Sequence, residues 1–440
     1  MNHPSRLCLG LASLLCAGAA APTGETEPSA QQIIPIRHHE AGLAVSAEGL
    51  TLADCYRLAL AQSEAVAIRN EMLNATEGQF LQALSTALPS VDYQIAEKRQ
   101  DGSGASAFSL KRIPEQKFAL SQPLFSGFKE FAAMAGSRAQ RRQRAHETAR
   151  AEHLLLIDVA NAFHLLLQQQ GDIRALDATR KALEDRLGEL HRREELGRSR
   201  QSEVASAEAR LRRVEADLES ARSSEMTARQ LMEFLTGQSP LGLLNDDQPD
   251  PLALPAEGEY LAKAHARPDV KSAEEAWNVA RKAVWVAQAG FWPTVSLDAN
   301  YYTKRAGVSE DITWDATLDV SIPIFHGGNN LGATKTARSE ARQAKLTFEL
   351  TKRQAELEIR SAYATLQGSI ARYLALVRAL DAAEENYRLQ VEDYGRNLVN
   401  NLDVLQALQD VQDARRDVIA AQHTAKRDHW KLRVATGETL

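Results

Sequence analysis

Displacing this 440-residue chain by 200 positions brings its halves into register. Leu120-Ser121-Gln122-Pro123-Leu124-Phe125-Ser126-Gly127 then meets Val320-Ser321-Ile322-Pro323-Ile324-Phe325-His326-Gly327. Ala162-Phe163 meets Ala362-Tyr363, Glu203-Val204 meets Asp403-Val404, and Thr236-Gly237 meets Thr436-Gly437. An offset held without insertion means that one architecture was built twice and that element lengths matter. Long side-by-side helices impose that condition, because one inserted residue turns everything beyond it by roughly 100°.

Composition agrees: charged residues make up 25% and aromatics 6%, as expected of long helices rather than a large aromatic core. The net charge of −6 gives no reason to expect a nucleic-acid partner. The basic run Arg138 to Arg144 is followed by Glu147 and Glu152 and reads as a solvated helix face.

Residues 1–21 read as a secretory signal, with Arg6, an apolar stretch from Leu7 to Ala17, and the small residues Gly18-Ala19-Ala20-Ala21 for cleavage. Cys16 raises the possibility of a lipid anchor, but Leu15 before it is large for that signal. Loss of the signal would remove Cys8 and Cys16 and leave Cys55 with no internal disulfide partner. Residues 22–48 have the composition of a weakly ordered leader. The most apolar later stretch, His153 to Leu167, is short and interrupted by Asp158 and His164, so a membrane could be crossed only by strands of a closed barrel.

Repeat 1 is expected over 49–237, with a helix from Thr51 to about Leu88, a β-hairpin over 89–125 and a long helical hairpin over 127–237. A linker, 238–258, leads to repeat 2 over 259–440, with a helix from about Tyr260 to Phe291 broken early by Pro268, a β-hairpin over 293–325 and a helical hairpin over 327–437. Ile312 to Ile322 alternates apolar and polar residues at each step, the period of a two-faced strand. Val91, Tyr93 and Ile95 alternate likewise, as do Val295, Leu297, Ala299 and Tyr301. Asp101-Gly102-Ser103-Gly104 and Arg305 to Ser309 read as the intervening turns. Ten-residue strands suit an outer-membrane barrel, yet four cannot close one. Either the sheet is soluble, or several chains share a barrel. Pro123, Phe125 and Gly127, with Pro323, Phe325 and Gly327, read as strand-to-helix corners.

Between Pro123 and Pro240, and again after Pro323, proline is absent. Val404, Val411, Val418, Ala425 and Leu432 recur seven apart with Ala407, Ala414 and Ala421 behind them. Val204, Leu211, Leu218 and Met232 repeat this, with Ala207, Val214, Ala221 and Ala228, and Glu225 interrupts. This is an a/d seam with small residues that permit close helix approach. Gly197 and Asn397, which coincide under the offset, tolerate a left-handed backbone and are expected to end the outgoing helices in tight turns.

In this order and double occurrence, the chain resembles the TolC-like outer membrane efflux proteins over nearly all its mature length. Leu52-Ala53 and Leu261-Ala262 match the openings of each repeat. The Gln122-to-Gly127 and Ile322-to-Gly328 corners, the Gly197 turn, the segment Asn397 to Leu405, and both Thr-Gly endings also match. Asn397 stands where the family more often has Gly.

The resemblance implies a mainly α protein with a membrane β-barrel portion: a long antiparallel α-helical coiled-coil barrel plus four strands per protomer in a trimeric 12-stranded β-barrel. It implies a homotrimer in the outer membrane of a Gram-negative bacterium, with a large periplasmic part. The chain would be a passive exit duct of a tripartite efflux or type I secretion system, driven by an inner-membrane pump through a periplasmic adaptor (membrane fusion) protein. The adaptor would dock at Gly197, Arg198, Ser199, Arg200, Asn397, Leu398, Val399 and Asn400. Glu203, Glu392, Asp393 and Asp403 near the tips are candidate pore carboxylates, although each also suits a turn cap or solvated face. A periplasmic adaptor or coiled-coil scaffold without a channel is the alternative, but adaptors carry one hairpin whereas this chain duplicates everything. No catalytic residues, cofactor or nucleic-acid partner are expected. Ala333-Thr334 separate Gly332 from Lys335 and exclude a phosphate loop, and the eleven scattered histidines show no zinc spacing.

Overall fold

Two helices of 67 residues each, Lys129–Glu195 (α3) and Asn329–Gly395 (α7), begin 200 positions apart and set the scale of the protein. At 1.5 Å per residue each is about 100 Å long. The structure is a computed structural model that describes residues 49–101 and 110–440. The readings of a signal, a leader, Cys16 and the turn at Gly102-Ser103-Gly104 lie outside the described residues.

Before α3 come α1 (Leu52–Gln62), α2 (Glu64–Ser85), β1 (Ser90–Arg99) and β2 (Arg112–Ser126), and after it α4 (Gln201–Thr236). The second half runs α5 (Glu257–Ala262), α6 (Pro268–Gln288), β3 (Thr294–Arg305), β4 (Trp314–Ser321), α7 and α8 (Asn401–Ala435). The expected continuous first helix is two. Ser63 is extended (φ −70°, ψ 108°), its N–H closes α1 on Ala59, and its hydroxyl caps α2 at Val66. One residue thus ends one helix and starts the next. The second opening helix is broken at Pro268, which takes the first position of α6, where its missing N–H costs nothing.

α3 is the most embraced element, packed by α2 and α6 towards the strands and by α4 and α8 towards the hairpin ends, while α7 packs on α6 and α8. The heptad seam explains the pairing. Val204, Leu211, Leu218, Met232 and their small partners Ala207, Val214, Ala221 and Ala228 are all buried. In α8 Val404, Ala407, Val411, Ala421, Ala425 and Leu432 are buried, whereas Ala414 and Val418 are partly exposed. Glu225, the charged residue in the first seam, pairs with Arg229 at 2.7 Å and lies 3.5 Å from Gln170 of α3. It is a polar contact across the hairpin. Cys55 is a core residue; burial, reinforced by the charge of Asp54, pushes its thiol up to about 12, leaving it an inert packing group.

Arg267 ties the second half together. Its guanidinium is fully buried and donates to the carboxylates of Asp269 (2.6 and 3.0 Å) and Glu358 (2.7 Å) and to the carbonyl of Ala435 (3.2 Å). It therefore joins the start of α6, the middle of α7 and the end of α8. Burial pushes the Asp269 carboxyl up, but hydrogen bonds and charge from Arg267, with help from Arg150, outweigh it and hold the group below its ordinary 3.8. Because the folded value is depressed, the contribution of Asp269 is complete above pH 3.8 and is lost as pH falls through the folded value. Arg267→Ala is expected to destabilise by about 3 kcal/mol or more, and Asp269→Asn to flatten the acid limb of stability. Denaturant unfolding across pH 2–7 (about the carboxylate range) reads both.

Candidate functional site

Each strand is antiparallel to the next in a single sheet of order β1-β2-β3-β4, so β1 and β4 each leave one edge unpaired within the chain. Cross-strand partners share a face, and the register sorts them by polarity. Val91, Leu120, Ala299 and Ala316 form one row, and Tyr93, Phe118, Tyr301 and Trp314 the next. Leu297 pairs with Leu318 and Val295 with Val320 on that same face. The opposite face carries Ser90, Ser121, Asp298 and Thr317, then Asp92, Ala119, Asn300 and Asp315. It is hydrogen-bonded laterally: Ser121 to Asp298 at 2.6 Å, and Asn300 and Tyr302 to Asp315 at 2.8 Å each.

The apolar face is exposed, with Val91, Trp314 and Leu318 each more than 60% accessible. A sheet seated on a soluble core would have buried that face. Among the described residues no helix is long and apolar enough to cross a membrane.

β2 is longer than expected and carries register shifts at Gln116/Lys117 and Pro123/Phe125. Pro123 lacks an N–H for the ladder and fits the second of these. β4 starts at Trp314 rather than Ile312, although the Tyr302 N–H still reaches the Thr313 carbonyl at 2.8 Å. At the first corner Gly127 has φ +65°, and a Cβ there would stand 2.8 Å from that of Trp292. Phe128 follows with φ +62°. At the second corner Gly327 (φ +57°) and Gly328 (φ +85°) face open space, and Phe325 is 84% exposed. The two corners share a backbone but not surroundings. An open groove of about 980 Å³ beside the first is lined by Phe128, Phe131, Trp285, Trp292 and Leu331.

At the other end, both hairpin tips close in the same way. Gly197 (φ +69°) donates to the Glu194 carbonyl at 2.8 Å, and Arg198 to the Arg193 carbonyl at 2.7 Å. Asn397 (φ +60°) donates to Tyr394 at 3.0 Å, and Leu398 to Asp393 at 2.9 Å. This is the paired bond pattern of a left-handed helix ending, with Asn taking the strained position in the second tip. Arg198, Ser199, Arg200, Val399 and Asn400 complete the short turns. Asn400 caps α8 by accepting from Leu402 and Asp403, and Ser199 donates to Glu203 at 2.7 Å. Leu196 and Leu398 are each 69% exposed at the apex.

The four tip carboxylates all have local partners. Asp403 accepts from the Asn400 N–H at 3.1 Å in a capping box, and Glu203 takes the Ser199 hydroxyl. Glu392 and Asp393 lie 2.5 and 3.9 Å from Arg396.

Sequence reading missed how the tips are joined. Buried Arg186 of α3 lies 3.9 Å from the Tyr394 ring centre and donates at 3.0 Å to Asn401, itself buried. Arg193 stacks on the same ring at 4.6 Å. Sequence reading also missed the meeting of His164 and His423 in the interior with Asp246 beside them, three residues able to hold a metal ion. Their separations, 82 and 177 residues along the chain, carry no spacing signal.

Residues 262–438 match the sequence profile described as outer membrane efflux protein. Over that stretch the chain is similar to the outer membrane efflux proteins. It is 23% identical over 308 residues to outer membrane protein TolC of Vibrio cholerae serotype O1, covering 67% of this chain and 70% of that one. It is 26% identical over 171 residues to nodulation protein T of Rhizobium leguminosarum bv. viciae, a match of 38% of this chain and only 36% of that protein. The crystal structure of CusC superposes with a TM-score of 0.78 at 17% identity, covering 96% of this chain and 99% of CusC. At that identity the likeness establishes the fold.

Asn397 carries the positive φ that the second tip requires. Asn397→Gly is expected to change stability by no more than a few tenths of a kcal/mol and Asn397→Val to cost ~1–2 kcal/mol, because a β-branched residue resists the left-handed region. Chemical unfolding of the two variants beside the parent checks this.

Proposed function

We propose that the chain is one protomer of a trimeric exit duct in the outer membrane, a passive conduit for a tripartite efflux or type I secretion system. One observation carries the reading: a four-stranded sheet, apolar on one exposed face and hydrogen-bonded and polar on the other, has two open edges above helices about 100 Å long. Open, flat, apolar edges are avoided in a lone chain. Three copies joined edge to edge make a closed barrel of twelve strands, and closure removes every edge. The apolar rows of Val91 and Tyr93 then face lipid, and the rows of Asp92 and Ser121 line the water-filled lumen. The aromatic groove beside Phe128 and the bare corner at Phe325 are covered by neighbouring copies.

The helices continue the path through the periplasm. The exposed tips at Gly197 to Arg200 and Asn397 to Asn400 dock a periplasmic adaptor, and the inner-membrane pump supplies the energy. The chain contributes a path and a docking surface and no catalytic step. The sequence domains follow this division: each repeat supplies one β-hairpin to the barrel and one helical hairpin to the tunnel, joined through 238–258. Near the tips, Asp393 has the loosest of the carboxylate pairings, and one such group per copy makes a ring that favours cations.

Two measurements test the reading. Images of the detergent-extracted outer-membrane protein are expected to show hollow cylinders with three-fold end views; recovery as thin monomeric rods in the soluble periplasm would overturn it. Leu318→Arg, on the lipid-facing row, is expected to cost ~2–4 kcal/mol and deplete assembled trimer, whereas Thr317→Arg, on the luminal row, leaves assembly intact and alters conductance. Equal behaviour of the two in membrane fractionation would remove the two-faced assignment. In planar bilayers, Asp393→Asn is expected to lower cation selectivity.

A further inference from the structure

His164 of α3 and His423 of α8 stand with ring centres 5.7 Å apart, tilted by 37°. Asp246, from the segment between the repeats, completes a triad whose potential ligand atoms all lie within 4.8 Å of one another. His164 is fully buried, and neither of its ring nitrogens has a hydrogen-bond partner; the Nδ1 of His423 is likewise buried and unpaired. A neutral imidazole always carries one donor and one acceptor. Leaving such groups unmet in the interior is destabilising, and Phe or Leu would fill the same space beside Phe163 without that cost.

Two further groups fix the geometry. Lys426 donates at 2.7 Å to Asp246 and at 2.7 Å to the Gln248 carbonyl, holding the segment against α8. Asp250 is held by Gln422 at 3.0 Å and by Tyr373 at 3.1 Å. The carboxylate of Asp246 is thus presented to the two rings by a pinned backbone. Burial, reinforced by neighbouring cationic side chains, keeps His164 neutral down to about 3; burial likewise dominates at His423, neutral down to about 4. Both retain a lone pair for a ligand at neutral pH.

We propose that His164, His423 and Asp246 form a binding site for one borderline divalent transition-metal ion, Zn²⁺ or Co²⁺, that clamps the inter-repeat segment to α3 and α8. Two imidazoles and a carboxylate are the donor set such ions prefer, whereas Mg²⁺ and Ca²⁺ demand oxygen ligands. Bonds of 2.0–2.1 Å place tetrahedral ligands about 3.3 Å apart, so the longest of these separations contracts by up to about 1.5 Å on binding. None of the three residues fills the fourth position of a tetrahedral site, which is left for a water. The proposal does not depend on the channel reading, since all three ligands come from one chain and lie outside the strands and tips.

The test uses the full-length, tag-free protein in detergent, stripped with chelator, reloaded with Co²⁺ or Zn²⁺ and passed through gel filtration. About one ion per chain is expected, with the visible absorption of four-coordinate cobalt. His164→Gln and His423→Gln should each weaken binding by more than about tenfold, since even partners behind a ligand are worth 10–100-fold. His265→Gln, at an exposed histidine away from the site, should bind as the parent does. If a buried-histidine variant does not elute as folded protein, Asp246→Asn, at a partly exposed position, supplies the same readout. Absence of stoichiometric metal from the parent, or binding that survives in the folded ligand variants, would overturn the proposal.

Discussion

The close packing of long helices along stripes of small residues is the constraint on which the rest depends. Ala207, Ala221 and Ala228 of α4 and Ala407, Ala421 and Ala425 of α8 are buried, and their size lets each returning helix lie close to its partner. The 67-residue α3 is held by the neighbours that cover it, because most helical stability in proteins comes from an apolar face packed against other elements. The stripe also forbids insertions. A single added residue would rotate the seam away, and the equal lengths of α3 and α7 are the visible result.

Energetically, the two ends of the molecule are opposite cases. The helical body buries the seams of α4 and α8 within one chain, although α7 leaves Leu346, Leu350 and Leu357 exposed, and it is pinned by polar contacts such as Arg267 with Asp269 and Glu358, or Arg186 with Asn401. The sheet does neither. Its apolar rows are exposed and both of its edges are open, the two exposures that the proposed barrel of several copies would relieve. Each half of the chain supplies one hairpin of each kind, so helices pack together along the body while the strands gather in one sheet.

Much of this was legible because it rests on periodicity. Alternation in Ile312 to Ile322 marks the strand, whose regular ladder starts only at Trp314, after the turn that the Ile312 N–H closes on the Ser309 carbonyl. The turn at Asn397 was legible because only a few residues tolerate a positive φ. The break at Ser63 was not, since a serine between two apolar stripes reads equally well as an exposed helical residue until its hydroxyl is seen capping Val66. The tip carboxylates were legible as residues but not as to their partners, which are set by side-chain geometry in the last turn of each helix.

The sequence by itself determined the correspondence between its halves, the two long helices, the two-faced strands and the turns at the hairpin tips, because these depend on local propensity and on spacing along the chain. Only the tertiary structure decided which helix lies beside which. That pairing brings Arg186 to Tyr394, Arg267 to the end of α8, and His164 to His423 and Asp246. Such contacts join residues far apart in the chain, and no period or motif records them; they exist only once the seams have set the helices side by side.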